Sequence, residues 1–360
     1  MTIRSANRRA ARGTHKHTNR QQGAPTIADV AAYVGFAPMT VSRVINGEQN
    51  VRPETREAVQ AAIAKLKYSP NLAARTLAGA EQIRVGLLYS NPSAAYLSEF
   101  LVGSLRQARL SHVQLVVEKC DAKQHEEAVV RELLASGVDG VILPPPLCDS
   151  KRIHTVLMKA GALAIAVASA SPRPGFLAVR IDDRAAAAAM TRHILSLGHQ
   201  RVGFIQGNPD QTASAQRFAG YKTALTEAGI APDKSLVTRG LFTYRSGLKA
   251  AEQLLSLPKP PTAIFASNDD MGAATVAVAH RHHLDVPKDL TVCGFDDTDF
   301  SRSIWPELTT IRQPIADMSR AAMLLLVRKI RARRSGKDEE CKHVLLGFTL
   351  VRRDSDAAPG

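Results

Sequence analysis

The chain has 360 residues, enough for two or three domains whose cores need no disulfide or metal to hold them. Its formal net charge of +14 favours partners that carry negative charge, such as nucleic acid or an anionic surface. The four cysteines form no C-x-x-C pair and no apolar run reaches the length of a membrane span, which excludes zinc-ribbon, disulfide-framework and membrane-spanning classes.

The first 24 residues are rich in basic side chains and include the pair Arg8-Arg9. No apolar segment follows that pair, so the pattern is not that of a secretory leader. We expect residues 1–24 to form a disordered basic arm, which either adds contacts to nucleic-acid phosphates or remains a solvated tail.

Residues 25–69 are predicted to form three short helices, because apolar residues recur there at helical spacing. These residues are Ile27, Val30, Ala31, Val34, Val41, Val44, Ile45, Val59, Ile63 and Leu66. A small, locally connected helical domain follows from this pattern. Its spacing alone is also that of an ordinary three-helix bundle.

The residues at the starts and ends of these helices indicate a helix-turn-helix. Thr26 followed by Asp29 is typical of a helix N-cap with an acidic partner. Gly35 supplies a turn, Pro38 suits the first position of the next helix, and that helix should stop at Asn46. Two helices joined by a tight glycine turn are typical of a unit that lays its second helix in the major groove of DNA.

The second helix carries the residues expected to touch DNA. Pro38, Met39 and Arg43 share one of its faces, and only Arg43 has the planar fork that binds guanine O6 and N7. Side chains suited to phosphate oxygens follow the same helix: Thr40, Ser42 and Asn46. Because Pro38 and Met39 offer no polar group to a base edge, the pattern does not predict an operator sequence.

Beyond Glu81 short β-branched runs alternate with segments of helical length. The predicted strands are residues 83–89, 113–117, 138–143, 163–168, 201–206, 262–266 and 290–295. This alternation predicts an α/β fold with parallel sheets covered on both faces. The strands are too many for one compact domain, so two doubly wound lobes are expected.

Residues 26–79, TIADVAAYVGFAPMTVSRVINGEQNVRPETREAVQAAIAKLKYSPNLAARTLAG, resemble the headpiece and hinge of the lac repressor (LacI/GalR) family throughout. The resemblance implies a hinge helix at residues 70–80 that forms on operator DNA, with Leu77 wedged into the minor groove. It also implies DNA contacts at Thr26 and at three hinge residues: Asn71, Ala74 and Leu77. The structural alternative for Leu77 is a linker residue packed on the adjacent lobe.

The resemblance continues more loosely to about residue 353, through LGHQRVGFIQG, RFAGYKTAL, FASNDDMGAA, CGFDDTDFS and LTTIRQPIADM. It implies a core similar to periplasmic sugar-binding proteins, whose two lobes close over a ligand. The first lobe is expected at about 81–181 plus 312–337. The second is expected at about 182–311 plus 338–353.

Ligands of open α/β sheets bind beyond the carboxyl ends of the strands. The resemblance places six effector contacts there: Ser90, Tyr96, Arg217, Phe242, Asn268 and Asp296. Arg217, Asn268 and Asp296 have the chemistry to bind sugar hydroxyls, and Phe242 would pack on the sugar ring. Structural alternatives remain for each: Asn268 and Asp296 as helix caps, Arg217 in a surface ion pair, Phe242 in the lobe core.

These features predict a cytoplasmic, nucleoid-associated repressor of carbohydrate genes that binds palindromic double-stranded DNA as a homodimer and responds to a small sugar. We expect no cofactor, metal site, membrane association or enzymatic activity. One alternative, a periplasmic sugar-binding protein, needs a cleavable leader and has no use for residues 26–79. The other is an α/β enzyme acting on sugars, but Asp296, Asp297 and Asp299 come with no nucleophile and base that spacing can pair.

Overall fold

The computed structural model describes residues 25–45, 51–68, 82–120, 125–337 and 343–360. The chain divides between Glu81 and Gln82 into a helical unit and an α/β unit. The basic arm expected at residues 1–24 and the hinge helix expected at 70–80 lie outside the described residues.

The helical unit contains α1 (Ile27–Val34), α2 (Pro38–Ile45) and α3 (Pro53–Lys65). Thr26 caps α1 as predicted: its hydroxyl accepts from the Asp29 N–H at 3.3 Å, and the Asp29 carboxylate accepts from the Thr26 N–H at 2.8 Å. Gly35 ends α1 with a φ of 70°, a conformation that glycine adopts without steric cost. The predicted turn before α2 is therefore confirmed.

The three helices share one small apolar core, whose buried members are Val30, Ala31, Val41, Val44, Val59 and Ala62. Val41 and Val44 hold α2 on the other two helices. The opposite face of α2, with Met39 and Arg43, stays in solvent. The packing thus fixes which side of α2 is free to meet a partner.

The α/β unit begins with β1 and ends after β12. In chain order its elements are β1 (Arg84–Tyr89), α4 (Ala94–Ser111), β2 (Gln114–Lys119), α5 (Glu126–Ala135), β3 (Gly140–Leu143), α6 (Lys151–Lys159), β4 (Leu163–Val167), β5 (Leu177–Arg180), α7 (Asp183–Ser196), β6 (Val202–Gln206), α8 (Thr212–Glu227), β7 (Val237–Arg239), α9 (Tyr244–Leu255), β8 (Ala263–Ala266), α10 (Asp269–Arg281), β9 (Thr291–Asp296), β10 (Thr309–Arg312), α11 (Ile315–Arg334), β11 (His343–Leu345) and β12 (Thr349–Val351). Every helix in the described ranges is too short or too polar to cross a bilayer.

The strands form two six-stranded sheets, of order β11-β5-β4-β3-β1-β2 and β12-β10-β9-β8-β6-β7. Neighbouring strands are parallel except β10 and β12. Each sheet is covered on both faces, as expected for parallel strands: Leu87 packs into one apolar core and Leu88 into another. The predicted three-helix unit and two parallel-sheet lobes are confirmed.

The resemblance assigns residues 338–353 to the second lobe, and this assignment is wrong for β11. That strand pairs in parallel with β5 of the first sheet, with His343 opposite Ala178. The chain therefore passes between the lobes three times, after β5, after β10 and after β11. A three-residue edge strand carries too little periodicity to reveal its partner, because pairing is decided by the neighbouring strand.

Candidate effector-binding and DNA-binding sites

A cavity of about 30 Å³ lies between the two lobes, where strands of both sheets reach their carboxyl ends. Its lining comprises Asn91, Pro92, Ser93, Tyr96, Pro145, Ala168, Gln211, Ala213, Arg217, Phe242, Asn268, Asp296 and Gln313. Five of the six predicted effector residues meet here; the sixth, Ser90, follows β1 half-buried and is not in the lining. This volume holds one or two water molecules, so it is smaller than a sugar.

Arg217 is a buried cation at the centre of the second-lobe wall, only 4% exposed. Its Nε donates to Asp183 Oδ1 at 2.8 Å, and its Nη1 donates to the Ser267 carbonyl at 2.6 Å. Nη1 also lies 3.5 Å from Asp296 Oδ1, and the guanidinium sits 3.6 Å above the Phe295 ring. The alternative of a surface ion pair is therefore wrong, since this pair is buried.

The close packing of α7 and α8 brings Asp183 to Arg217. Gly220 makes that packing possible, because a Cβ there would lie 2.2 Å from the Arg184 carbonyl of α7. With the two helices in contact, the first turn of α7 sets Asp183 beside the middle of α8. A glycine one helical turn from Arg217 thus positions the central ion pair.

Asp296 is the last residue of β9, is 5% exposed, and accepts a hydrogen bond from Gln313 Nε2 at 2.6 Å. Burial raises the pKa of its carboxyl to about 7, although Arg217 and the Gln313 amide act in the opposite direction. Near neutral pH this carboxyl can therefore accept from a ligand hydroxyl or, when protonated, donate to it. Asp296, Phe242 and Ala168 all have positive φ, and strained residues of this kind cluster at binding sites.

Asn268 caps α10 and also faces the cavity. Its Oδ1 accepts from the Met271 N–H at 3.1 Å, and its Nδ2 donates to the Phe242 carbonyl at 3.2 Å and to Asp270 Oδ2 at 3.3 Å. The alternative of a helix cap is confirmed for this residue. A contact to an effector remains a prediction.

Tyr96 brings a buried hydroxyl to the cavity from the first lobe. The residue is 4% exposed, and its hydroxyl has no hydrogen-bond partner among the described residues. Burial raises the pKa of this phenol well above its usual value, so the group stays a neutral donor. An unpaired buried hydroxyl costs about 1 to 3 kcal/mol, which a bound polar ligand would recover.

Two hydrogen-bonded bridges hold the lobes together beside the cavity. Ser93 Oγ of the first lobe donates to Asp270 Oδ2 of the second at 2.7 Å. Asp149 of the first lobe accepts from the Thr212 N–H of the second at 2.8 Å and from its hydroxyl at 3.0 Å. These bridges must open or shift when a ligand larger than the cavity binds.

Several contributors to this site escaped prediction: Ser93, Gly207, Asp183, Asp270 and Gln313. Ser93, Gly207 and Asp270 come shortly after predicted strands, so the strand-end rule could have found them. Asp183 and Gln313 follow β5 and β10, which the sequence pattern did not predict. What the sequence could not show is their pairing, since Ser93 and Asp270 are 177 positions apart.

Gly207 makes room for the Phe242 ring. A Cβ at this glycine would lie 1.9 Å from the ring's Cζ, so the ring and an alanine cannot both occupy this space. Phe242 is 8% exposed and packs in the second-lobe core as well as facing the cavity.

Replacing Gly207 by Ala should force the Phe242 ring out of its place and lower the free energy of unfolding by about 1 to 3 kcal/mol. Urea unfolding followed by circular dichroism measures the loss. Gly347→Ala is the matched control, because a Cβ at Gly347 meets no atom within 4 Å. Equal stability of the two variants would contradict the close contact between Gly207 and Phe242.

The DNA-binding candidates lie on the helical unit. Pro38, Met39 and Arg43 of α2 are exposed, Met39 by 67%. Thr40 and Ser42 are half-buried on the same helix, and Thr26 is exposed at the start of α1. The remaining candidates lie outside the described residues: Asn46, Asn71, Ala74 and Leu77. Within the described ranges no group of three His, Cys, Asp or Glu side chains is placed to hold a metal ion.

Comparison with protein families gives two matches. Residues 26–71 match the model described as bacterial regulatory proteins, lacI family. Residues 191–355 match the model described as periplasmic binding protein-like domain. The two matches fall on the helical unit and on the α/β unit respectively.

Individual relatives span nearly the whole chain. Catabolite control protein A of Priestia megaterium is 33% identical over 305 residues, which cover 84% of this chain and 92% of the relative. Among solved structures, the complex of transcriptional regulator CelR with cellobiose matches at a TM-score of 0.70 and 31% identity, covering 92% of this chain and 99% of that one. A lac repressor dimer bound to operator and the anti-inducer ONPF matches at a TM-score of 0.69 and 28% identity, covering 93% and 100%.

Proposed function

This chain belongs to the lacI family of bacterial regulatory proteins and is a DNA-binding transcriptional regulator; we propose that it represses carbohydrate-utilisation genes under control of a small sugar bound between its lobes. The observation that carries the proposal is the convergence of polar groups on one cavity. Arg217, Asp296 and the unpartnered Tyr96 hydroxyl reach it from both lobes. A guanidinium, a carboxyl and a hydroxyl are groups that bind polyols.

The proposed mechanism is allosteric. Because the bridges from Ser93 to Asp270 and from Asp149 to Thr212 close the cavity, a bound sugar changes the angle between the lobes. We propose that the hinge expected at residues 70–80 passes this change to the DNA-binding helices. A coupling of about 1 to 3 kcal/mol between the two sites is enough to switch operator occupancy.

A sugar-acting enzyme is the rival reading of the acidic loop after β9. There Asp297 binds Arg312 and Arg353, whose guanidinium groups hold the pKa of its carboxyl below the usual value although burial acts to raise it. Asp296 is held by Gln313 and Arg217. Since these carboxylates have structural partners, we propose that the loop binds a ligand and does not catalyse a reaction. We also propose that the protein acts on the nucleoid in the cytoplasm.

Selection from the protein's own genomic DNA fragments tests the function. We expect enrichment of a palindromic site, with binding that falls steeply as salt rises because phosphate contacts release counterions. We also expect one or more sugars to change the affinity for that site. If no duplex is enriched at moderate ionic strength, with or without sugars, the regulatory function is contradicted.

An exposed apolar face on the first lobe supports the proposed homodimer. Val102, Leu105 and Leu110 of α4 are 61%, 55% and 64% exposed, and Leu324 of α11 is 52% exposed. The two helices pack closely because Gly103 has no side chain; a Cβ there would lie 2.1 Å from Ser319 Oγ. An apolar face of this kind on a pair of packed helices is typical of an isologous interface.

Replacing Leu105 by Asp should convert the dimer to a monomer, because two copies of the charge would face each other across the twofold axis. Light scattering coupled to size exclusion measures the mass. Operator affinity should fall at least about tenfold, since the two half-sites no longer bind as one unit. Met158→Asp is the control, as Met158 is 61% exposed on α6; a dimeric Leu105→Asp variant would contradict this interface.

A further inference from the structure

We propose that the cleft admits only effectors without negative charge, namely uncharged sugars and amino sugars, and that it rejects sugar phosphates and sugar acids. This inference rests on the proposed function and narrows its ligand class. Three features of the described residues carry it: the charges around the cavity, the hydrogen bonds that Arg217 already makes, and the carboxylates bound at two of the nearby helix N-termini.

Carboxylates outnumber cations around the cavity. Among the described lining residues Arg217 is the one cation, and Asp296 lies beside it. Asp183 binds Arg217 directly, Asp270 reaches the cavity through Ser93 and Asn268, and Asp269 is fully buried behind them. Two carboxyl groups thus contact the one guanidinium, two more lie behind the lining, and a ligand phosphate would meet net repulsion.

Arg217 has little capacity left for an anion. Binding a phosphate or carboxylate in bidentate fashion needs two parallel N–H groups on one edge of the guanidinium. Here Nε is engaged by Asp183, and Nη1 by the Ser267 carbonyl and Asp296. The Phe295 ring covers one face at 3.6 Å. The remaining N–H groups can serve single hydroxyls.

Two helix N-termini beside the cavity, those of α7 and α8, already bind carboxylates of the protein, whereas the Ser93 hydroxyl caps α4. A helix N-terminus is the usual place for a phosphate, because its free N–H groups point outward. At the start of α8 the Thr212 N–H donates to Asp149 at 2.8 Å. At the start of α7 the Ala185 N–H donates to Asp182 at 2.9 Å. The first turn of α10 holds two more acids, Asp269 and Asp270.

The pKa values of the buried carboxyl groups show that negative charge is disfavoured beside the cavity. Burial raises the pKa of Asp183, Asp269 and Asp270, and the neighbouring carboxyl of Asp296 raises that of Asp269 further. Another anion would add to this repulsion, whereas a hydroxyl or ammonium donor would relieve it. The net charge of +14 draws anions toward the protein at long range, but selection occurs in the cleft.

Matched ligand sets test the inference. Calorimetry on the full chain at pH 8 would compare glucose, galactose and ribose with their terminal phosphates, and with the 2-amino sugar for each hexose. In every set that contains a binder we expect the free or amino sugar to bind at least about tenfold more tightly than the phosphate. A phosphate that binds most tightly in its set overturns the inference while leaving a sugar-controlled regulator. Failure of all members to bind contradicts the proposed sugar effector, and the inference with it.

A charge-removing variant separates electrostatic from steric exclusion. Asp270→Asn keeps the shape of the side chain, and we expect it to reduce the ratio of phosphate to free-sugar dissociation constants about threefold or more. Asp354→Asn removes the same charge from an exposed position in the C-terminal segment and should leave the ratio unchanged. Thermal unfolding of both variants checks that they fold. An unchanged ratio in folded Asp270→Asn would overturn the electrostatic basis.

Discussion

Replacing Arg217 by Ala should lower the free energy of unfolding of the α/β unit by about 3 to 5 kcal/mol, the usual loss when one partner of a buried ion pair is removed. Asp183 and Asp296 would remain, 3% and 5% exposed, without their counter-charge. Urea unfolding at pH 8, monitored by circular dichroism, measures this loss. The variant should also lose its response to the effector, because Arg217 lines the cavity.

The loss should be larger at pH 8 than at pH 5. In the folded variant both carboxyls would have a pKa above the usual value, since burial raises it and Arg217 no longer opposes the rise. A group with a raised folded pKa takes up a proton on folding, so its cost appears as the pH climbs from the unfolded pKa toward the folded one. At pH 5 the protonated carboxyls would cost less.

Two further variants give this experiment its controls. Arg192→Ala breaks the exposed ion pair in which Arg192 Nε lies 2.8 Å from Glu227 Oε2. This variant should change the free energy of unfolding by less than about 1 kcal/mol. Adding Asp183→Asn to Arg217→Ala removes one of the stranded carboxylates and should restore part of the stability. An equal loss at pH 5 and pH 8 would mean that lost packing on Phe295 is the cause instead.

For Arg217, the sequence predicts one of two roles. Its type and its place in RFAGYKTAL are enough to nominate it as a ligand residue. Its second role, as the counter-charge that makes Asp183 and Asp296 tolerable inside the protein, depends on pairing between elements that are distant in sequence. A variant that simply removes Arg217 therefore tests folding and ligand binding together.

The fold was predictable where local chemistry decides it. The capping box at Thr26, the glycine turn at Gly35 and the start of α2 at Pro38 depend on neighbours within four residues, and the structure has all three. The strands that escaped prediction are three or four residues long: β5, β7, β10, β11 and β12. Such short segments become strands because an existing sheet pairs with them. The local sequence pattern does not predict this pairing.

The same division separates the predicted site residues from the missed ones. The strand-end rule finds Asn268 and Asp296, because it needs only the position of a strand. The rule does not predict that the Asn268 amide donates to the Phe242 carbonyl, or that the Ser93 hydroxyl donates to Asp270. The first contact arises when the second lobe folds, and the second arises only when the two lobes meet over the cavity.

Replacing Arg43 by Ala should remove sequence discrimination by the DNA-binding helices while leaving their fold intact. Arg43 is exposed on α2, whereas the core residues Val41 and Val44 face the other helices. A bidentate contact to guanine is worth about 1 to 3 kcal/mol, so affinity for the selected site should fall by about five- to 150-fold. Fluorescence anisotropy with the selected duplex and a scrambled duplex, at one fixed salt concentration, measures the ratio of the two affinities.

The matched control is Lys65→Ala, which removes the same charge from α3, where the ammonium lies 5.2 Å from the centre of the Tyr33 ring. Losing a distant positive charge should weaken binding to both duplexes alike, because phosphate attraction does not depend on sequence. Arg43→Ala should instead weaken binding to the selected duplex far more than to the scrambled one. If the two variants behave alike, Arg43 contacts phosphate, and base reading belongs to other residues of the protein.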